Sequence, residues 1–373
     1  MEKERSMNTN KHVYALILAG GGGTRLWPKS REKTPKQFLK LGRDKTLLRA
    51  TAERVCTFIE WDHVYVITNV TQLQDVESEL PEVSKDHILC EPKKRETAMA
   101  MAVGALVIQD RDPDAVVMNF ASDHIVTDIE EFTRVMHAAA ENATDPNIMV
   151  TVGISPTFPH TGLGYIKSGK ELHQTQNLPV FQVDNFTEKP NEETAKAFLK
   201  TGTYFWNANN YVWSCKAIKA AFLKHAPKTA DVLDELRRHI GKSTWKSAFE
   251  KAYDSVESIS IDYAISEKAD NLVLIPGNFG WNDIGDWKVV YDLSPKDAEN
   301  NVILKEEKDG ELISHASHHN LVSVNGRLIA LVDVENMIII DTPEILMIAP
   351  KERSQDVKKI VEKLKKENRK NYL

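Results

Sequence analysis

Four consecutive glycines follow a short apolar segment near the start of the chain, in Leu18-Ala-Gly-Gly-Gly-Gly-Thr-Arg-Leu-Trp-Pro28. Glycines let the backbone approach a ligand and turn its N–H groups toward phosphate oxygens. Arg25 comes just after the glycines, and Lys36 follows a proline that helps to fix the local path of the chain. Arginine offers phosphate a planar fork and lysine offers it a point charge. The segment therefore predicts a triphosphate site.

Two familiar nucleotide-binding patterns do not match this loop. A dinucleotide-binding GxGxxG pattern needs a third glycine five positions after the first, and the candidate positions hold Arg25 and Leu26. The P-loop pattern GxxxxGK[ST] fails at Gly241-Lys-Ser243, because its first glycine is replaced by Leu236. The loop thus predicts a phosphate site of another type, and it disfavours a nicotinamide-dependent dehydrogenase.

Two aspartates that are far apart in the sequence are candidates for a metal site. Asp123 follows the apolar segment 116–122, which places it at the carboxyl end of a predicted strand, where open α/β sheets bind ligands. Asp283 lies in a later aromatic and glycine-rich segment. Mg²⁺ takes one or two protein carboxylates plus waters and substrate phosphates. Taken singly, each aspartate is more typical of a loop or cap residue than of a metal ligand, and we interpret Asp286 and His124 as structural.

The elements that must position these residues alternate between strands and helices. Continuous apolar segments predict strands buried on both faces of a sheet, at 14–18, 63–67, 115–118 and 147–152. Helical patterns lie near 46–58, 71–79, 96–110, 128–142, 191–200, 215–225, 229–252 and 261–267, and further strands near 203–213 and 271–275. This order predicts a Rossmann-like α/β fold with a mostly parallel sheet and helices on both faces.

The composition changes near residue 296, where a smaller β-rich region begins. Asn325-Gly326 supplies the two positive φ values of a type I′ turn, so that 321–332 is predicted to form a hairpin. Two more strands are predicted at 337–340 and 345–348. The chain closes with an amphipathic helix whose apolar residues fall at i, i+3, i+4 and i+7, namely Val357, Ile360, Val361 and Leu364. We predict two domains, at 1–295 and 296–373.

Composition excludes several classes of protein. The chain has 373 residues, of which 42% are hydrophobic and 27% charged, as in globular proteins. The polar N-terminus resembles no signal peptide, and no segment approaches the roughly 18 apolar residues of a membrane span, so we expect a cytoplasmic protein. Three widely spaced cysteines argue against a disulfide framework and against zinc. A net charge of -6 argues against nucleic acid as a partner.

The motifs LAGGxGTRLxP and PKQF together resemble the signature of the sugar-phosphate nucleotidyltransferases, and within that family the mannose-1-phosphate guanylyltransferases. The resemblance covers about residues 12–295 in the family's order and continues through Phe120-Ala-Ser-Asp-His124, Phe186-Thr-Glu-Lys-Pro190, Tyr204-Phe-Trp-Asn207 and Gly280-Trp-Asn-Asp-Ile-Gly-Asp-Trp287. It implies a catalytic nucleotidyltransferase domain over 1–295. It also implies a truncated left-handed β-helix over 296–373, too short for an isomerase domain, and a homodimer formed through this C-terminal region.

The resemblance further implies the reaction and its residues. A sugar-1-phosphate oxygen attacks the α-phosphorus of a nucleoside triphosphate, here mannose 1-phosphate and GTP, and pyrophosphate leaves. A phosphate monoester has a second pKa of about 6, so the nucleophile needs no base, and catalysis rests on positioning and charge neutralisation. Arg25, Lys36 and Asp123 would be catalytic, and Asp123 and Asp283 would hold Mg²⁺ or another divalent cation. The implied substrate residues are Ala19, Gly20, Gly21, Gly23, Thr24, Arg95, Thr97, Ser122, Gly164, Glu188, Lys189 and Asn207.

The chain departs from the family pattern at a few positions near the expected substrates. Asn209 replaces a glycine, and in the segment that begins at Glu91 the departures are Lys94, Glu96 and Met99. Asparagine tolerates the left-handed region better than other non-glycine residues. The departures leave open the same chemistry on another sugar 1-phosphate or nucleotide, and a non-catalytic homologue that only binds nucleotide sugar. The retained catalytic set favours an enzyme.

Overall fold

The computed structural model describes residues 11–21, 23–305 and 310–373, so Gly22 of the glycine loop and most of the polar N-terminus lie outside the described residues. The chain forms two compact units. The first unit comprises residues up to Gly20, Thr51–Ser122 and Val126–Trp281. The second unit gathers Gly21–Ala50, Asp123–Ile125 and Asn282–Leu373. The domain boundary between 1–295 and 296–373 stays a prediction.

A nine-stranded sheet forms the core of the first unit. Its strands are β1 Val13–Leu18, β2 Val64–Asn69, β3 Ile88–Glu91, β4 Val116–Ala121, β5 Met149–Ile154, β6 Tyr165–Thr175, β7 Leu178–Thr187, β8 Tyr204–Ser214 and β9 Leu272–Gly277. Their order in the sheet is β3-β2-β1-β4-β8-β5-β9-β7-β6. Strands β1 to β4 pair in parallel and so do β5 and β9, whereas β6, β7 and β8 run antiparallel to their neighbours. Leu18 pairs with Ala121, so β1 and β4 end at the same edge.

Helices cover both faces of this sheet. They are α1 Leu47–Val55, α2 Leu73–Glu79, α3 Glu96–Arg111, α4 Ile129–Ala143, α5 Glu192–Thr201, α6 Cys215–His225, α7 Pro227–Arg237 and α8 Trp245–Ser255. In β4, Val117 belongs to the same apolar cluster as α3, while the Phe120 ring lies 5.9 Å from Phe132 of α4. Odd and even residues of a strand point to opposite faces, so α3 and α4 lie on opposite sides.

Two predicted helices differ in detail from the structure. The pattern at 229–252 is divided between α7 and α8, because Gly241 takes a left-handed conformation with φ of 71° that interrupts the helix. The pattern at 261–267 forms a π-helical turn, Asp262–Ser266. No helix in the part of the chain that the structure describes is long and apolar enough to span a membrane.

The second unit contains α9 Trp287–Leu293, β10 Val302–Lys305, β11 Glu311–His315, β12 Leu321–Val324, β13 Leu328–Val332, β14 Met337–Asp341, β15 Leu346–Pro350 and α10 Val357–Lys366. The predicted hairpin is wrong: β12 pairs in parallel with β10 and β14, and β13 pairs in parallel with β11. Gly326 has a φ of 76° but Asn325 is not left-handed, so the turn is not type I′. From β10 to β14 successive strands instead alternate between two sheets, and β15 then pairs antiparallel with β14.

An apolar core joins the glycine-loop segment to the end of the chain within the second unit. The Trp287 indole nitrogen donates to the Trp27 carbonyl at 2.9 Å, and the Trp27 indole nitrogen donates to the Tyr372 carbonyl at 2.7 Å. On α10, Val357, Val361 and Leu364 are buried in this core, whereas Ile360 is 48% exposed. The core thereby anchors the loop that carries Arg25 and Lys36.

Candidate functional site

Lys36 lies at the centre of a charged cluster in the second unit. Its side chain is only 8% exposed, and its Nζ donates to Asp123 Oδ2 at 2.9 Å and to the backbone carbonyl of Asp283. The guanidinium of Arg25, which is more than half exposed, lies 3.6 Å from Asp283 Oδ2. Four residues that were predicted to act together therefore meet at one place.

The local sequence explains how Lys36 reaches this position. Pro35 is extended, and it precedes a short 3₁₀ turn over Lys36–Phe38. A Cβ atom on Gly23 would lie 3.2 Å from Cβ of Lys36, so the glycine lets the lysine stem pass close to the loop. The side-chain amide of Gln37 donates to the carbonyl of Gly21 at 3.1 Å. Thr24, which lies in the same loop, is half-buried, and its carbonyl accepts from the Trp27 N–H.

A short backbone bridge holds the two aspartate segments together. Ile125 and Asn282 exchange two N–H···O bonds of 2.9 Å, one in each direction. Asp123 lies two residues before this bridge and Asp283 lies directly after it. The backbone bonds of the bridge therefore bring the two aspartate segments side by side. Asp286 caps α9, since its Oδ1 accepts from the N–H of Val289 at 3.1 Å, which fits its interpretation as structural.

The charges around Asp123 keep it ionised. Burial opposes the charged form, but the Lys36 ammonium and then His124 outweigh burial and hold the pKa of Asp123 below its usual range. His124 Nε2 lies 3.9 Å from Asp123 Oδ1, close enough for a protonated imidazole to stabilise the carboxylate.

The cluster also fits a hard divalent cation. Among the described residues, no three His, Cys, Asp or Glu side chains are arranged to hold a metal ion. The Asp123 carboxylate at Lys36 and the Asp283 carboxylate at Arg25 are instead a donor set that Mg²⁺ completes with waters and substrate phosphates. A structural zinc site would need four protein ligands.

The start of the glycine loop belongs to the first unit and is fixed by β2. The Ala19 N–H donates to the Ile67 carbonyl at 2.8 Å, and the side chains of Thr68 and Asn69 donate to the carbonyls of Ala19 and Gly20. Ser122 is buried, and its N–H donates to the Leu18 carbonyl. These bonds hold both strand ends in one arrangement.

Glu91, at the end of β3, is a buried carboxylate that was not among the predicted site residues. Its Oε1 accepts from the hydroxyl of Tyr253 at 2.9 Å, and a Cβ atom on Gly20 would lie 3.1 Å from its Oε2. Its carboxylate therefore lies directly beside the first glycine of the loop. Burial raises the pKa of Glu91 to about 7. The short apolar segment Ile88-Leu-Cys90 directly before it was a signal in the sequence that could have identified it.

Arg95 and Thr97 are committed to structural bonds in the first unit. Arg95 Nε donates to the carbonyl of Tyr253 at 2.6 Å, and the hydroxyl of Thr97 accepts from the Ile261 N–H at 2.9 Å. Between them, Glu96 is the first residue of α3 and has a φ of 60°. Their assignment as substrate residues stays a prediction.

A second charged cluster, formed by Glu188 and Lys189, lies in the first unit. Lys189 Nζ lies 2.6 Å from Glu188 Oε1; the glutamate side chain is 7% exposed and the lysine side chain 53%. Lys189 has a φ of 47°, a left-handed conformation that is uncommon for lysine. A Cβ atom on Gly164 would lie 2.5 Å from Glu188 Oε2, so a larger residue there would displace the carboxylate. Burial, with a smaller contribution from the charge of Asp262, raises the pKa of Glu188.

Asn207 lies in a buried hydrogen-bond network in the same unit. Its Nδ2 donates to Asp262 Oδ1 at 2.8 Å and to the Tyr211 hydroxyl at 3.2 Å, and its Oδ1 accepts from the Asn209 N–H at 3.1 Å. Asn209 has a φ of 55°, so it adopts the left-handed conformation that its residue type tolerates. Asp262 was not among the predicted residues either, although an acidic residue between apolar neighbours was a signal.

Comparisons with known proteins show the family to which the chain belongs. The model of the Nucleotidyl transferase family matches residues 14–300, and that of the MannoseP isomerase/GMP-like beta-helix domain matches residues 310–364. A mannose-1-phosphate guanylyltransferase of Escherichia coli (strain K12) is 33% identical over 96% of this chain and 74% of its own. One of Salmonella montevideo is 35% identical, over 97% and 76%.

A solved structure is similar over nearly the whole chain. The crystal structure of a Thermus thermophilus protein, described as a mannose-1-phosphate geranyltransferase, superposes with a TM-score of 0.83 at 28% identity. The match covers 95% of this chain and 99% of the other.

The raised pKa of Glu91 predicts a pH-dependent stability. The folded chain binds this proton more tightly than the unfolded chain, so its stabilising contribution is complete below the ordinary glutamate pKa of 4.5 and is lost as pH rises through about 7. We expect the free energy of unfolding of the wild type, relative to Glu91→Gln, to fall by roughly 2–3 kcal/mol between about pH 5 and pH 8. Urea unfolding at both pH values measures this change. The same exchange at the exposed Glu141 is the control, and a pH-independent difference for Glu91 would contradict the prediction.

Proposed function

The chain belongs to the nucleotidyl transferase family and is related to mannose-1-phosphate guanylyltransferases, and from this premise we propose that it transfers the guanylyl group of GTP to α-D-mannose 1-phosphate. The products are GDP-mannose and pyrophosphate. The family membership confirms the predicted resemblance, and with the solved structure it confirms the fold class. A nucleoside triphosphate and a sugar phosphate are the substrates that this family implies.

The observation that carries the proposal is the convergence of Arg25, Lys36, Asp123 and Asp283. In-line attack at the α-phosphorus spreads negative charge over phosphate oxygens, and preorganised cations stabilise that charge. The buried ammonium of Lys36 is fixed by two acceptors, so it needs no rearrangement during the reaction. The exposed guanidinium of Arg25 is available to the leaving pyrophosphate.

Asp123 and Asp283 are the residues that would hold a divalent cation, for which we propose Mg²⁺. When bound, the cation neutralises charge on the nucleotide phosphates. The lowered pKa of Asp123 keeps this carboxylate ready as a ligand at neutral pH. Lys36 fixes the orientation of the same carboxylate, so the lysine serves the cation site and the phosphates together.

The first unit supplies groups that suit the sugar phosphate and the base. Lys189 is half exposed and carries the charge that a sugar phosphate needs, while Glu188 presents a carboxylate over Gly164 to sugar hydroxyls. For the base, Glu91 favours guanine over adenine. A carboxylate beside Gly20 can accept hydrogen bonds from the ring N–H and from the amino group of guanine. Adenine has no such ring N–H. Another sugar or base with the same chemistry is the alternative.

The charged cluster predicts how turnover changes when one of its charges is removed. We expect Asp123→Asn and Lys36→Ala each to lower turnover at saturating substrates on the order of 10²-fold or more, because each removes a positioned charge that acts in the transition state. Asp286→Asn is the control, since asparagine keeps the helix cap and should leave turnover within a few fold. Pyrophosphate release measures all three. Near wild-type turnover in Asp123→Asn or Lys36→Ala would refute the assignment.

We further propose that the chain forms a homodimer through its C-terminal region. The outer side of the β11–β13 sheet carries three exposed apolar side chains, Ile313 at 54%, Leu328 at 57% and Val332 at 68%, beside Glu311 and His315. The strand register places these three side chains on one face. An exposed apolar face of this kind marks an interaction surface.

A double variant tests the dimer without disturbing the core. Deletion of 351–373 would remove Val357, Val361 and Leu364 from the core of the second unit, so it is a poor test. We expect Leu328→Lys combined with Val332→Lys to give a monomer mass in light scattering, because two charges cannot be buried without partners. Leu223→Lys, at an exposed leucine of the first unit, is the control. An unchanged mass in the double variant would contradict the proposed interface.

A further inference from the structure

Asp262 is a buried carboxylate that the predicted reaction does not use. It is 5% exposed and begins the π-helical turn of the first unit. Its Oδ1 accepts from Asn207 Nδ2 at 2.8 Å and from the Tyr211 hydroxyl at 2.8 Å, and both donors are neutral. No described lysine or arginine forms an ion pair with it. Burying a carboxylate without an ion pair is costly, so we expect Asp262 to have a function. Its position in a π-helical turn is consistent with this, since such turns occur frequently at functional sites.

The carboxylate fixes the side chain of Asn207. A carboxylate can only accept hydrogen bonds, so it selects the amide orientation in which Nδ2 faces Asp262. In that orientation Oδ1 accepts from the Asn209 N–H, so that Asn209 is held in its left-handed conformation. The amide of Asn207 is therefore engaged within the protein rather than free to contact a ligand.

The locked asparagine in turn holds the backbone beneath Glu188. The Asn207 N–H donates to the Gly164 carbonyl at 2.8 Å. Gly164 is the position at which a Cβ atom would lie 2.5 Å from Glu188 Oε2. Asp262, Asn207, Gly164 and Glu188 thus form one chain of contacts that ends at the Lys189 ammonium, 2.6 Å from Glu188.

We propose that Asp262 is a positioning residue for the sugar-phosphate subsite. It acts through Asn207 and Gly164, which fix the backbone beneath Glu188. Glu188 and the paired Lys189 are thereby held where they would contact the sugar phosphate. Asn207 accordingly supports the subsite instead of binding the sugar through its own amide. This inference rests on the proposed function, and it adds a residue that the motifs did not single out.

Steady-state kinetics with each substrate varied separately tests the inference. We expect Asp262→Ala to raise the KM for mannose 1-phosphate roughly tenfold or more, because two buried donors lose their acceptor, while the KM for GTP stays within about twofold. Asp262→Asn should recover most of the sugar-phosphate KM, since its side-chain oxygen can replace Oδ1 for both donors. A residue that served stability alone would change both KM values together.

Tyr211→Phe is the matched control. It removes the Tyr211 hydroxyl both as a donor to Asp262 and as the more distant acceptor of Asn207 Nδ2, at 3.2 Å, but it leaves the 2.8 Å bond between Asp262 and Asn207. The sugar-phosphate KM should therefore stay near that of the wild type. If Asp262→Ala does not fold, Asn207→Leu decides by the same comparison of KM values, because it removes the amide at similar size without placing a second carboxylate beside Asp262.

The outcomes separate this inference from the proposed function. An inactive wild type with GTP and mannose 1-phosphate would refute the proposed function. An active wild type with unchanged KM values in Asp262→Ala, or with both values raised alike, would overturn the positioning role. A selective loss of sugar-phosphate affinity in Asp262→Ala, with Tyr211→Phe unaffected, would establish it.

Discussion

A buried lysine ammonium shared by two aspartate segments is the interaction on which the charged cluster depends. Lys36 is almost fully enclosed, and its Nζ reaches both the Asp123 carboxylate and the Asp283 backbone. Without that ammonium, the Asp123 carboxylate would lose the cation that outweighs burial and holds its pKa below the usual range. The glycine loop, the 3₁₀ turn after Pro35 and the Ile125–Asn282 bridge all serve to bring these groups together.

The same pairing of a cation with a carboxylate recurs at each residue that we propose to bind a phosphate. The chain carries a net charge of -6, so overall charge does not attract anionic substrates. Each of the three cations assigned to phosphate is instead paired with a carboxylate: Lys36 with Asp123, Arg25 with Asp283 and Lys189 with Glu188. The pairing orients each cation before the substrate arrives, and in the Lys36 cluster the same carboxylates suit a divalent cation. An acidic chain can in this way build local sites for anions.

The sequence predicted the elements and the charged cluster better than it predicted pairing and burial. Continuous apolar segments identified the strands that precede the glycine loop and Asp123, because parallel strands that are buried on both faces are apolar throughout. The meeting of Lys36 with Asp123 followed only from the family resemblance, since no local pattern encodes a contact between distant segments. The Asn325-Gly326 hairpin was wrong because turn propensity says nothing about which sheet the next strand joins. Asp262 was missed because its role depends on burial beside Asn207.

The most direct test of the proposed reaction is pyrophosphate release by the wild-type protein, measured with Mg²⁺ over a grid of sugar 1-phosphates against GTP, UTP, dTTP, ATP and CTP. We predict that release with mannose 1-phosphate and GTP exceeds every other pair, and that it requires both substrates and the divalent cation. Release from another pair well above that of mannose 1-phosphate and GTP would contradict the assigned substrates. No release from any pair would contradict the assigned reaction itself.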